Sequence, residues 1–304
     1  MLAGENGIGP ITHFDASQHT AQIAATANWN PEDHFEGPDF RKLDPFTMLA
    51  LVSSDEALKD AGLSGMRDLD ESQRERIGCI LGTGIGGIIG IEAQHDVLRD
   101  RGPRRVSPHF IPKIMANAVS GQVAIRHGIL GTTFTTCSAC ASSGHAIGMA
   151  LMAIRAGEVD MVITGGAESA TTPLSLGGFA SAKALSTRND EPERACRPFD
   201  KERTGFVMGE GAGILVFEEY EAAKARGARI YAEVKGYGST DYAHHITAPK
   251  QDGSGPARAF DLAMRTGNVD PSTIDYINAH GTSTYFNDSI ETRAIRRCFG
   301  DHAD

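Results

Sequence analysis

Positive charge is in short supply: the 304-residue chain carries 29 Lys and Arg against 39 Asp and Glu, a formal net charge of −10. That deficit argues against non-specific nucleic-acid binding, which needs cations to displace counterions from phosphates. Long apolar runs are missing too. No stretch approaches the ~20 apolar residues of a membrane-spanning helix, and the opening MLAGENGIGP lacks the basic-then-apolar order of a secretory leader. A cytoplasmic setting with no membrane partner is the expectation. Cysteine is scarce, at Cys79, Cys137, Cys140, Cys196 and Cys298. The number is odd, and Cys137 and Cys140 have no second pair to complete a four-ligand zinc site. Neither disulfides nor a structural metal are expected to organise the fold. Short-period repeats and low-complexity tracts are also lacking.

With 40% apolar and 22% charged residues, the chain can build a sizeable core. Its 35 glycines imply many tight turns or close backbone approaches. Short β-like runs alternate with helical runs, the pattern of an α/β architecture with largely parallel strands. Pro45 to Gly62 opens with Pro, ends at Gly and spaces Met48, Leu49, Val52 and Leu58 along one face, which predicts a helix. Strands are expected at Ile77–Leu81, Thr132–Cys137, Asp160–Thr164, Gly211–Phe217, Ile230–Val234 and Ile274–Asn278. Helices are expected near Lys113–Arg126, Ala141–Ala156, Glu218–Arg226, Gly255–Thr266 and Asp288–Cys298. The long Ser186–Phe206 loop has the length at which loops are often functional.

Two places carry chemistry. Phe134-Thr-Thr-Cys-Ser-Ala-Cys140-Ala-Ser-Ser-Gly-His-Ala-Ile-Gly148 sets Cys140 where a strand turns into a small-residue helix. Unpaired N–H groups and the helix dipole there favour a thiolate and offer donors to an oxyanion, so Cys140 is a candidate nucleophile. The alternative is a buried structural cysteine, and Cys137, inside the strand, takes that reading. Asn278-Ala-His280-Gly-Thr282-Ser-Thr284, with Asn287, Asp288 and Glu291 following, sets His280 at a strand end, where open α/β sheets gather reacting groups. Its hydroxyls could equally cap the next helix. Gly82-Thr-Gly84-Ile-Gly-Gly87 imitates a dinucleotide fingerprint, but no acid-ended second strand follows about 20 residues on. Gly209-Glu-Gly211-Ala-Gly213 lacks the Lys-Ser/Thr of a phosphate loop. Neither suggests a nucleotide.

Together these segments resemble the β-ketoacyl-acyl carrier protein synthase family, of the elongating type in bacterial fatty acid synthesis. The matching motifs include Gly4-Glu-Asn-Gly7-Ile8, Gly84-Ile85-Gly86-Gly87, Ser138-Ala-Cys140-Ala, Gly165-Gly166-Ala-Glu168 and Gly177-Gly178-Phe179. Further along come Ala184-Leu-Ser-Thr-Arg188-Asn189, Arg197-Pro-Phe-Asp200, Gly209-Glu-Gly211 and the His280 motif. The resemblance implies a thiolase-like fold, layered α-β-α-β-α in two related halves, here residues 1–228 and an incomplete 229–304. It implies that Cys140 accepts the acyl chain as a thioester and that His280 is the first of two histidines promoting malonyl decarboxylation. Thr247, Thr282 and Thr284 are implied to grip the phosphopantetheine arm, and Glu291 to be a structural acid that pairs with a later lysine. Ile85 and Phe179 are implied to line the acyl tunnel, with Phe110 and Ile111 contributed across a homodimer interface. Acyl carrier protein is the implied partner, docking on Arg41, Lys42, Arg104, Arg105 and Lys183. No metal or organic cofactor is implied.

Family members begin with a strand before the segment matching Leu2-Ala-Gly4. They also continue past Arg293–Gly300 into the lysine, the second histidine and a Gly-Phe-Gly-Gly loop. The sequence therefore reads as truncated at both ends, with apolar faces expected to be uncovered. The expected activity is decarboxylative condensation of an acyl-enzyme with malonyl-acyl carrier protein. The rival readings are a polyketide ketosynthase and a non-catalytic scaffold or chain-length partner of a complete synthase.

Overall fold

In the computed structural model, which describes residues 3–245 and 249–303, the chain divides into two units of tertiary contact. One comprises Met1–Thr26, Pro173–Met208 and Val234–Asp304; the other comprises Ala27–Thr172 and Gly209–Glu233. In the first, the short strands β1 (Gly9–Pro10) and β2 (Ile23–Ala24) pair antiparallel, and the Ser254–Gly267 helix packs on the Tyr285–Phe299 helix.

The second unit is built on a four-stranded sheet of β3 (Ile77–Gly82), β4 (Thr133–Thr136), β5 (Met161–Glu168) and β6 (Gly211–Glu218), in the order β4-β3-β5-β6. β3 runs parallel to both neighbours, as the alternation of strand and helix implies, while β6 adds an antiparallel edge. Every residue of β3 is buried, and its side chains alternate between two cores. Ile77, Cys79 and Leu81 join Ile163 and Ala167 in a core capped by the Pro45–Asp60 and Ala118–His127 helices. Ile80 and Val162 face the other way, against Ala146, Ala150 and Ala153 of the Ser142–Arg155 helix. The small residues of that helix let its backbone come close to the sheet, which is what sets the position of the cysteine at its start.

The helix expected from Pro45 is present, with Gly62 leaving it at φ +72°. The helix expected at 113–126 is two: Phe110–Ile114 and Ala118–His127. They are separate because Met115 turns extended and the Ile114 carbonyl accepts the Gly87 N–H at 3.2 Å instead of extending the helix. A helix not foreseen spans Ile88–Arg101. The strands expected at 230–234 and 274–278 do not join any ladder among the described residues. A strand exists through its pairing and a covered face, and Ile230, Tyr231, Val234 and Tyr276 stand 41%, 67%, 39% and 80% exposed.

Candidate active site

Cys140 lies on a turn between β4 and the Ser142–Arg155 helix and is exposed. Three features hold the turn. Ala139 adopts a left-handed φ of +50°, uncommon for a residue with a Cβ and a mark of a conformation enforced by its surroundings. The buried Ser142 hydroxyl donates to the Ala139 carbonyl at 2.7 Å and accepts the Ser138 N–H at 2.9 Å, and Thr136 Oγ1 donates to the Ser142 carbonyl at 2.8 Å. Glycine then lets the helix start sit on the sheet: a Cβ on Gly82 would lie 2.5 Å from the Ser142 oxygen and the Ser143 nitrogen, and one on Gly166 would lie 2.5 Å from the Gly82 oxygen. One turn into the helix, His145 Nδ1 is 2.5 Å from the Ser138 hydroxyl. The residue before this turn differs from expectation: Cys137 is exposed, not buried, because β4 ends at Thr136, and its thiol donates to the Gly84 carbonyl at 3.5 Å.

Beside the turn, the glycine-rich loop after β3 wraps around a carboxylate. Glu168, the last residue of β5, accepts the N–H groups of Gly84 at 2.7 Å, Ile85 at 2.9 Å and Gly86 at 3.2 Å, and the Thr83 hydroxyl at 3.1 Å. A run of backbone amides of this kind is an anion-binding nest. Here the protein's own side chain fills it, which is the physical reason the G-x-G-x-x-G pattern is not a nucleotide site. In the sequence Glu168 stands out only as the last residue of the Gly165-Gly166-Ala-Glu168 motif, with nothing to indicate this partner.

His280 belongs to the other unit and lies in a loop, not at the end of a ladder strand among the described residues. Glu291 holds this loop from the following helix, accepting the N–H groups of His280 at 2.7 Å and Gly281 at 2.8 Å. Thr282 and Thr284 bring their hydroxyls within 2.9 Å of each other. Between them the buried Ser283 accepts the Arg197 N–H at 3.0 Å, and its carbonyl accepts the Gly205 N–H at 3.0 Å. The buried Asp288 accepts the Phe199 N–H at 2.7 Å, while Arg203 donates to the Thr284 and Tyr285 carbonyls at 2.9 and 2.7 Å. The long loop at 186–206 thus serves to fasten the His280 segment.

The remaining expected residues also fall into two groups. Ile85 is 42% exposed and Ile111 56%, with Phe110 half-buried, in the unit that holds Cys140. Arg41 and Lys42 end the Gly37–Lys42 helix, which packs on the Phe110–Ile114 helix, and Arg104 and Arg105 form an exposed turn on the same unit. Phe179 stacks edge-on against Phe206, 5.2 Å between ring centres, and the exposed Lys183 follows, both in the unit of His280. Thr247 lies outside the described residues.

Three of the other thiols are poorly suited to attack. Burial pushes Cys79 up to about 12, and burial with the Asp261 charge pushes Cys298 up to about 11. Burial and the Asp288 charge also raise Cys196.

Comparison with known proteins shows the family of the chain. Residues 1–223 match the family model described as Beta-ketoacyl synthase, N-terminal domain, and residues 231–304 match its C-terminal domain. The 3-oxoacyl-[acyl-carrier-protein] synthase 2 of Vibrio cholerae is 45% identical over 302 residues, covering 99% of this chain and 72% of that protein. Among solved structures, a beta-ketoacyl synthase from Burkholderia phymatum superposes with a TM-score of 0.87 at 36% identity, covering 98% of this chain and 72% of that one. A type II polyketide ketosynthase in complex with its acyl-carrier protein and bound to the hexaketide superposes with a TM-score of 0.84 at 31% identity over the same shares.

Proposed function

Because the chain belongs to the beta-ketoacyl synthase family, with a thiolase-like fold and acyltransferase-type condensing activity, we propose the following division of labour among its residues. Cys140 Sγ attacks the thioester carbonyl of an acyl-carrier protein; a carbon–sulfur bond forms to Cys140 and the carrier's thiol departs. Malonyl-carrier protein then loses CO₂, and the enolate left behind attacks acyl-Cys140. The Cys140 thiolate leaves, and the product is a 3-oxoacyl-carrier protein longer by two carbons. His280 supports the decarboxylation by donating to the developing enolate oxygen. Thr247, Thr282 and Thr284 hold the pantetheine arm, and Glu291 keeps His280 in place through the backbone bonds it accepts.

The observation that carries this reading is the Cys140 turn, where an exposed thiol stands at the start of a 14-residue helix drawn onto the sheet by Gly82 and Gly166. A helix N-terminus favours both a thiolate and the oxyanion that forms on attack. Of the two pathways that use such chemistry, fatty acid elongation has the support of 45% identity to a 3-oxoacyl-[acyl-carrier-protein] synthase 2, against 31% for the polyketide ketosynthase. Two chains associate as a homodimer in this reading, supported by Phe134 on the edge strand β4 and by the exposed Ile111. A cytoplasmic setting goes with it, since glutathione and thioredoxin keep thiols reduced there.

The test is mass spectrometry after mixing the chain with acyl-carrier protein. The acyl mass should sit on the peptide containing Cys140 and vanish in Cys140→Ala. In His280→Ala, acyl-Cys140 should still form while malonyl decarboxylation falls by ~10²-fold or more. An acyl group on another residue would remove Cys140 from the role, and loss of acylation in His280→Ala would assign His280 to activating the thiol.

A further inference from the structure

Four hydrogen-bond donors converge on the Glu168 carboxylate, and three of them are the consecutive amides of Gly84, Ile85 and Gly86. Fixing an amide on either side of a residue fixes the direction in which its side chain leaves the backbone, so this carboxylate decides where Ile85 points. The loop is also held at its far end: Gly87 donates to the Ile114 carbonyl at 3.2 Å, and a Cβ there would lie 3.0 Å from Ile114 Cβ. On the inner side, a Cβ at Gly84 would meet Glu168 Oε2 at 3.0 Å and the Ala139 carbonyl oxygen at 3.2 Å. Gly84 also accepts the Cys137 thiol at 3.5 Å. The carboxylate therefore fixes the loop bearing Ile85 to the end of β5, the Cys137–Gly84 bond joins the same loop to the segment leading into Cys140, and all of these contacts lie within one unit of the chain.

We infer that Glu168 is a positioning residue for acyl-chain selection, holding Ile85 in a fixed relation to the nucleophile turn through the three amides it gathers. The inference rests on the proposed roles of Cys140 as acyl acceptor and Ile85 as tunnel wall. With the carboxylate in place, Ile85 presents one surface to the incoming chain. In Glu168→Gln one oxygen is replaced by an NH₂ group that faces backbone N–H donors, so the nest opens and Ile85 samples several directions.

The experiment measures acylation of Cys140 by acetyl, octanoyl and palmitoyl pantetheine thioesters in the wild type, Glu168→Gln and Thr83→Val. The ratio of best to worst chain length should narrow about five-fold in Glu168→Gln, the size of a change in apolar fit. It should narrow about two-fold in Thr83→Val, which removes the hydroxyl and leaves the amides. A folded Glu168→Gln with an unchanged ratio overturns the inference, as does an equal loss at all three chain lengths, which would mean a purely structural role. If Glu168→Gln does not fold, Thr83→Val decides, and an unchanged ratio there overturns it. Absence of any acyl-Cys140 in the wild type would instead sink the proposed function. In that case N-methyl, N-octyl and N-hexadecyl iodoacetamides replace the thioesters, and the ratio of their alkylation rates at Cys140 judges Glu168 by the same outcomes.

Discussion

Replacing Gly82 with alanine tests how the sheet places the nucleophile. The added Cβ would stand 2.5 Å from the Ser142 carbonyl oxygen and the Ser143 nitrogen, where ordinary contact begins at 3.4 Å, so one element must retreat by about 1 Å. β3 has little freedom to do so, because it is hydrogen-bonded to β4 on one side and β5 on the other. The Ser142–Arg155 helix must lift instead, and the clash is with backbone atoms that cannot rotate away. Overpacking of this kind costs ~1–3 kcal/mol, and a backbone clash belongs near the upper end. At roughly 2–4 °C per kcal/mol for a body of this size, differential scanning calorimetry should show Tm lower by roughly 6–12 °C. A displacement of about 1 Å at a reacting group can cost ~10²-fold in rate, so acyl transfer to Cys140 should fall by that order. Gly144, two residues into the same helix, is the control: a Cβ there meets nothing within 4 Å. Gly144→Ala should raise stability by up to ~1 kcal/mol, the helix-propensity gain. A Gly82→Ala variant that melts and transfers like the wild type would refute the claim that this glycine is what lets the helix seat.

Three further outcomes follow from other parts of the molecule. Iodoacetamide should label Cys140 before Cys79 and Cys298, whose thiols are pushed up to about 12 and about 11; peptide mapping that finds all five cysteines labelled alike would contradict the role given to the helix start. Arg104→Glu/Arg105→Glu should slow acylation by acyl-carrier protein roughly three- to ten-fold and flatten its salt dependence, as rim charges do. The same variant should leave acylation by a small acyl-pantetheine nearly unchanged; an equal loss with both donors would point to damage to the fold. Burial at the start of the Pro45–Asp60 helix raises Asp44 to about 6 despite its bond from the Gly90 N–H and the nearby Lys113 charge. Because the folded state then holds this proton up to higher pH than the unfolded chain, stability should decline as pH rises from about 4 to about 6. The decline is on the order of 3 kcal/mol from this group. Asp44→Asn should flatten that slope in urea titrations, and an unaltered slope would show that another group is responsible.

How far the sequence is legible depends on how local each interaction is. The helix from Pro45 and the buried run Ile77–Leu81 are written in their own neighbourhoods, by a proline start and by continuous apolar character, and both form. So is the Cys140 turn, where the strand, the nucleophile and the small-residue helix lie within one continuous stretch. The segments at 230–234 and 274–278 have the composition of strands, but a ladder needs a partner that composition does not specify. The two units of tertiary contact likewise draw residues from several separated stretches, brought together by contacts that the order along the chain does not display. The exposure of Cys137 turned on a single residue, the point at which β4 stops.

The glycine-rich loop shows the same limit more sharply. Read along the chain, Gly82 to Gly87 lacks the acid that a dinucleotide site needs about 20 residues on, which argues against a nucleotide. In the fold the loop does have an acid, but it is Glu168, 84 residues beyond the Gly84 amide it binds. It comes into place because β5 pairs in parallel beside β3, with Gly82 opposite Gly166. Both glycines make room for the start of the Ser142–Arg155 helix: a Cβ on Gly82 would meet the Ser142 and Ser143 backbone, and one on Gly166 would meet the Ser143 side chain as well as the Gly82 carbonyl. An acid following Gly166 on such a strand, two residues past the pairing that faces a glycine loop, has few places to put its charge other than the loop's own amides. Parallel register, not the loop's sequence, therefore decides whether this nest binds a phosphate or a side chain. The same register predicts that moving the acid by one position, in Glu168→Ala/Ala167→Glu, would turn the carboxylate to the opposite face of the sheet and leave the nest empty.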